Sequence, residues 1–270
     1  MDRFEATTGQ LRLWACLGTL LFLSAGTAPA EDAVPVSFAL EKLSVTLHEP
    51  VFVVLKIENS LAEQVTFELG FQAKAHFHFI LTEPSGSTVS PPGIWEGGMG
   101  ATGHMTLKSG STFERKVLVN EWYHFSKAGS YGIQVKVTGL ALRTASGTLL
   151  VNEVSSPRMP LQVEPVDQTK LSEVCQSLLE SARTSRGYAK QAEAGLALSY
   201  ILDPVAVPYL AKLAKMGGLD GMSVAGLARI ANIEGIEEVV SNLGTGDPEL
   251  ERSIRNAFEC LKRGCSPPAD

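Results

Sequence analysis

Asn120-Glu121-Trp122-Tyr123-His124-Phe125-Ser126-Lys127-Ala128-Gly129-Ser130-Tyr131-Gly132-Ile133-Gln134-Val135-Lys136-Val137 reads as an aromatic corner that runs into a strand. Tyr131, Ile133, Val135 and Val137 occupy one parity, and Gly132, Gln134 and Lys136 the other. Side chains alternate across an extended chain, so this pattern predicts a half-buried antiparallel strand with its apolar set facing a core. Trp122 and Tyr123, at the corner, are expected to plug the end of that core rather than to carry binding.

Working outward, the same alternation recurs. Val36, Phe38 and Leu40 share a face, as do Leu43, Val45 and Leu47. Val51, Val53, Leu55 and Ile57 follow Glu49-Pro50; then come Val65, Phe67 and Leu69, and Phe77, Phe79 and Leu81. Runs at 104–107, 112–119, 149–154 and 159–163 complete the set. Turn residues such as Asn59-Ser60 and Pro84-Ser85-Gly86 separate them, the signature of an all-β layer over residues 31–164. The tyrosine after Gly129 resembles the tyrosine corner of immunoglobulin-like sandwiches, whose phenol ties the corner to upstream backbone. The order of Glu-Pro, strand, Asn-Ser, strand, Phe-rich strand and Gly-x-Tyr strand is similar to bacterial immunoglobulin-like extracellular domains. It is similar in outline also to the bacterial intracellular proteinase inhibitor domain. The resemblance covers 34–138 and implies a sandwich fold with a binding role; no Cys pair is present in this half, so packing alone would hold it.

Composition changes after Val163-Glu164-Pro165. Residues 165–168 read as a linker, 169–264 as helices and 265–270 as a tail. Asp167 or Thr169 can cap the first helix, and Asp203-Pro204 and Asp247-Pro248 are strong helix starts. Leu198 and Ile201 return as Leu227 and Ile230, 29 residues on, and as Phe258 and Leu261 after another 31. A period near thirty with paired helices is the mark of a solenoid. Ala194-x3-Leu198-x2-Ile201, followed by Asp203-Pro204 and Ala206-Val207-Pro208, resembles HEAT repeats of the phycobilisome-lyase-like type. That resemblance implies a protein-binding surface; no bilin chemistry is carried over. The expected fold class is therefore multidomain, all-β plus all-α, an immunoglobulin-like β-sandwich followed by a short HEAT-type α-solenoid. Its interaction residues are expected at Trp95 and Met99 in the 90–103 loop and at Tyr209, Lys212, Glu237 and Glu238 on the helices.

Motifs that carry chemistry are sparse. Gly98-Met99-Gly100-Ala101-Thr102-Gly103 matches a dinucleotide fingerprint in letters, but that site needs a strand before it and a helix after it. Here Pro91-Pro92 precede it and a strand-like run follows, so a loop is the better reading, and no cofactor is expected. His76 and His78 sit two apart, which on a strand puts both on the face opposite Phe77 and Phe79. They could share a metal only if a third ligand such as His104, His124 or Glu96 converged. All five histidines lie between 48 and 124, and Gly221–Gly226 misses a nucleophile elbow by one residue. No enzymatic activity is expected.

The first thirty residues differ from the rest. Arg3 and Arg12 precede an apolar run, Leu13–Ala25, and Ala28 and Ala30 form an Ala-x-Ala cleavage site just before Glu31. This is the pattern of an export signal; a membrane anchor would need ~20 apolar residues. Of the cysteines beyond it, Cys260 and Cys265 could form a local bridge in an oxidising compartment, with Cys175 as the alternative partner for either. Net charge is −6 over 270 residues, with no basic block, so nucleic acid and anionic membrane are poor partners and no membrane insertion is expected after cleavage. The sequence thus points to an exported bacterial envelope protein, periplasmic or extracellular, that binds or scaffolds another protein. A secreted proteinase inhibitor is the alternative, ahead of a metal-binding enzyme using the sandwich histidines. N-terminal sequencing of protein recovered outside the cytoplasm should begin at Glu31; a start at Met1 would remove the export reading.

Overall fold

Alternating apolar residues become strands, and helical periodicity becomes helices, in the computed structural model, which describes residues 34–69, 73–93, 104–243 and 247–263. The strands are β1 (Val36–Leu40), β2 (Ser44–Thr46), β3 (Phe52–Glu58), β4 (Val65–Glu68), β5 (Phe77–Thr82) and β6 (Thr88–Val89). They continue as β7 (His104–Leu107), β8 (Thr112–Leu118), β9 (Gly129–Thr144), β10 (Leu149–Ser155) and β11 (Met159–Glu164). A single turn of helix, α1 (Ala73–His76), leads into β5. The helices that follow are α2 (Gln168–Thr184), α3 (Tyr188–Ser199), α4 (Val207–Leu213), α5 (Asp220–Glu234), α6 (Ile236–Asn242) and α7 (Pro248–Lys262).

One sheet has three strands in the order β1-β3-β8. The other has eight and is organised on β9, a 16-residue strand. Its first half pairs with β11 on one side and β5 on the other, so that Ile133 lies opposite both Met159 and Leu81. Gly139 and Ala141 take positive φ of 68° and 43°, which bends β9 while β10 follows it with shifted register. Beyond the bend β9 meets β4, and β4 meets β7. On the far side β2 runs parallel to β11, with Val45 opposite Val163.

Tyr131, Ile133, Val135 and Val137 are all buried, as their parity predicts, and face Val53, Leu55 and Ile57 of β3 within one apolar core. The corner is closed by aromatic edges: Phe125 stands 5.1 Å from Tyr131, and Trp122 packs 4.9 Å from Phe79. The Tyr131 hydroxyl donates to the Lys127 carbonyl at 2.8 Å, tying the strand to the chain four residues upstream.

Three aspartates start three helical segments. Asp167 accepts from the amides of Thr169 and Lys170, Asp203 from Val205, and Asp247 from Glu249 and Leu250. These bonds satisfy amides that the first turn leaves without a helical partner. A second core gathers Leu171, Cys175, Leu198, Leu210, Leu227 and Ile254, among others. Residues 33–270 form one compact unit that includes both cores.

An immunoglobulin-like sandwich followed by a HEAT-type solenoid is not what the chain builds. A sandwich of that kind pairs two antiparallel sheets of comparable size. Here the sheets have three and eight strands, and the larger is mixed, with the parallel β2–β11 pair. A solenoid stacks uniform helix pairs so that each repeat touches only its neighbours. Here α3, α5 and α7 do lie side by side at the spacing of the sequence echo, but α4 and α6 have only seven residues each. The 17-residue α2 packs on both α3 and α4, so the helices share one core. The fold is a mixed β-plus-α assembly.

Close approach of α3 and α5 depends on Gly226, where a Cβ would lie 2.9 Å from the Ser199 Cα. At Gly195 the same atom would find Met222 Sδ at an ordinary 3.5 Å. Gly226→Ala should therefore destabilise the protein by about 1–3 kcal/mol through overpacking. Gly195→Ala should be neutral or stabilise by up to about 1 kcal/mol through helix propensity. Urea unfolding of the two variants checks the contrast.

Candidate functional site

Leu47-His48-Glu49-Pro50 makes the turn from β2 to β3, with His48 at φ 72°, a region uncommon for residues that carry a Cβ. The turn directs Glu49 inward, to 1% exposure. Its carboxylate accepts from the Thr46 amide at 3.0 Å and from Lys42 Nζ at 2.5 Å, with Lys170 Nζ of α2 at 3.5 Å. A buried carboxylate is tolerable only when paired and hydrogen-bonded, and this one has both. Thr46 extends the junction: its hydroxyl donates to the Pro165 carbonyl at 2.9 Å and accepts from the Asp167 amide at 2.8 Å. The sheet is thereby fastened to the first turn of α2.

With that junction fixed, the three-stranded sheet and the helices enclose a cleft of about 1180 Å³. One wall is β8 with Phe52 and Val54 of β3; the other is α2, through Val174, Ser177 and Leu178, and the start of α3, through Lys190 and Glu193. Charges on the sheet side are largely paired already. Lys74 meets Glu121 at 2.6 Å, with Glu121 only 6% exposed, and Lys116 bonds Glu41 on the rim. Lys190 and Glu193 on the helical wall are exposed and have no ion-pair partner among the described residues. The arrangement suits recognition of a mixed polar and apolar chain.

Near the same junction His48 and His124 stack, with centroids 5.9 Å apart and planes at 19°. His48 Nδ1 is buried and has no hydrogen-bond partner among the described residues. Burial holds both imidazoles below their usual value; His48 adds to the effect on His124, while Asp203 and Glu234 draw His48 part of the way back. Cys175 is buried and free, and burial pushes its thiol up to about 12, so it remains protonated and packs as a small apolar group.

The residues expected from sequence are not gathered at this cleft. Tyr209 and Lys212 are on α4, where the Lys212 ammonium lies 5.5 Å from the Tyr209 ring and the Tyr209 hydroxyl meets Ser172 Oγ at 2.7 Å. Glu237 and Glu238 are on α6: Glu237 pairs with Arg255 at 2.9 Å and Glu238 accepts from Asn242 at 2.9 Å. All four are committed to intramolecular partners, and none lines the cleft. Trp95, Met99 and the Gly98–Gly103 motif lie outside the described residues, as do the export segment and Cys265. Cys260 is in a disulfide whose other half also lies outside them.

His76 ends α1 instead of standing on a strand. A Cβ at Gly139 would lie 3.0 Å from its Nδ1, while the exposed His78 has Nε2 3.2 Å from the Thr138 hydroxyl. Among the described residues no group of three or more His, Cys, Asp or Glu is placed to hold a metal. Sequence reasoning missed Glu49, Lys42 and Lys170. The one available signal was an acidic residue inside an otherwise apolar strand boundary, Leu47-His48-Glu49-Pro50-Val51.

Comparison with known proteins adds little. No family model matches this chain, and no curated protein matches it. Among solved structures, a protein described as ApaA from Bordetella pertussis aligns over 49% of this chain and 96% of its own, at 12% identity and a TM-score of 0.29. The sporulation control protein Spo0M of Bacillus subtilis aligns over 55% of each chain, at 13% identity and a TM-score of 0.25. A β-glucosidase from Listeria innocua aligns over 48% of this chain and 16% of its own, at 12% identity and 0.23. Likenesses this weak carry no argument about fold or function.

The histidine pair makes stability depend on pH. Lowered folded values mean that the folded state binds fewer protons than the unfolded chain below about pH 6.5, so stability is present at neutral pH and lost as pH falls. The midpoint of thermal unfolding should drop between about pH 7.5 and 5. His124→Gln or His48→Asn, the latter suited to positive φ, should flatten that drop. An unchanged slope in both variants would assign the pH dependence to other groups.

Proposed function

We propose that this chain is an exported bacterial envelope protein that binds or scaffolds another protein and performs no chemistry of its own. The observation that carries this reading is the sheet–helix cleft. At about 1180 Å³ it exceeds the ~300–1,000 Å³ of small-molecule sites. Apolar side chains alternate along it with charges of both signs, as at the rim and core of a protein interface. Its carboxylates at Glu49 and Glu121 are held by lysines, which suits them to structure rather than to proton transfer. The N-terminal segment Met1–Ala30 supports export through its basic start, apolar run and small residues at Ala28 and Ala30.

A photo-crosslinking amino acid placed at Lys190, on the helical wall of the cleft, tests the reading in cells. One dominant adduct of defined mass is expected there and not at Glu259, an exposed control residue on α7. Indistinguishable adducts at the two positions, or none at Lys190, would overturn it.

A further inference from the structure

β8 is bonded through one edge only among the described residues, to β3. The register decides which of its backbone groups are spare. Val119 donates to the Val51 carbonyl and Asn59 to the Ser111 carbonyl, which sets the register so that Phe113, Arg115 and Val117 exchange bonds with β3. In an antiparallel pair the alternate residues direct N–H and C=O away from the partner. Thr112, Glu114 and Lys116 therefore present their backbone donors and acceptors to an edge that is open among the described residues. Side chains at every position from Phe113 to Leu118 line the cleft, both those that face the core and those that face outward. A cavity touched by both faces of a strand lies along that strand's edge.

Resting on the binding role above, we propose that the cleft takes an extended segment of its partner as an added strand on β8. A row of unpaired amides and carbonyls at every second residue is matched by another extended backbone and by few other ligands. β8 has seven residues, so the added strand would run for roughly 23 Å at the ordinary strand rise. On its outward face the segment meets Glu114 and Lys116 of β8, and because Lys116 is already bonded to Glu41, a basic side chain opposite Glu114 is favoured. The helical wall, Val174 and Leu178 of α2 with Lys190 and Glu193 of α3, covers the other side. β1 also has an open edge among the described residues, but no residue of β1 lines the cleft.

The test uses a phage-displayed library of random nonapeptides panned on the chain purified after secretion. An enriched peptide is synthesised and its affinity measured by fluorescence anisotropy. Glu114→Pro removes an outward amide while leaving the β3–β8 bonds intact, a place where an edge strand tolerates proline. Affinity should fall roughly tenfold in Glu114→Pro, the scale of one lost backbone hydrogen bond with its steric clash, and by no more than about threefold in Glu114→Gln, which keeps the amide and loses only an exposed charge pair. N-methylation along the peptide should weaken binding at every second residue only. That scan decides the matter on the unaltered protein even if the proline variant unfolds. A flat methylation scan, or full affinity in a folded Glu114→Pro, overturns strand addition and leaves the binding role standing. A library that yields no binder overturns it as well, and the crosslink at Lys190 then says independently whether the binding role survives.

Discussion

A single buried carboxylate fixes how the two halves of this protein meet. Glu49 is almost fully removed from water, and its position is set by the Thr46 amide, by Lys42 beside it and by Lys170 on α2. Removing one partner of such a group leaves an uncompensated charge, which costs far more than an exposed ion pair contributes. Both lysines are themselves about half exposed, so the ammonium groups keep water while the carboxylate gives it up. Thr46, three residues earlier, accepts from the cap residue of α2 and donates to the carbonyl two residues before that cap. Sheet and helix are thus coupled through groups that belong to a four-residue turn.

From that coupling the rest of the architecture follows. The turn continues directly into β3, the middle strand of the small sheet, and the fixed helix is α2, one wall of the cleft. The cleft is therefore built on the two elements whose relation the junction fixes. Of the stacked histidines, His48 is close enough to Asp203 and Glu234 on the helical side to feel their charges. Acid would place positive charge in a half-buried position beside the junction, where the folded state has arranged for none.

The strands and helix starts were legible because they depend on local rules. Alternation assigned Tyr131, Ile133, Val135 and Val137 to the core and placed the strands from Val36 to Val163 except β6 and the second half of β9. Asp167, Asp203 and Asp247 cap helical segments as their sequence context required. What was not legible is pairing. A period of two says which face a residue takes and nothing about which strand lies beside it. The parallel β2–β11 pair and the hub role of β9 are long-range facts, as is the unequal division into three and eight strands. The echo near thirty residues likewise set the spacing of α3, α5 and α7 without specifying whether the layer stacks openly or closes on α2. The interaction residues expected on the helices were chosen for exposure and charge, and Tyr209, Lys212, Glu237 and Glu238 turned out to be engaged with their own neighbours. The cleft was not legible because its walls are far apart in sequence, Leu118 of β8 and Val174 of α2 being 56 positions apart.

Open strand edges are a hazard that proteins blunt with charge, proline or brevity. β1 is five residues long and follows Pro35. β8 is longer, and its outward face alternates Glu114 and Lys116 around the bond from Lys116 to Glu41. Two copies of β8 meeting edge to edge in antiparallel register about Arg115 would set Glu114 opposite Lys116, an attractive pairing; centred one residue away they would set like charges opposite each other, which is destabilising. The helical wall removes that ambiguity by limiting approach: a second folded copy would have to enter a cleft bounded by α2 and α3, whereas a single extended chain needs only a strand's width of about 4.8 Å. The same wall that keeps a second sheet from the edge leaves room for a single strand, so the space around β8, more than the residues on it, determines what can approach the edge.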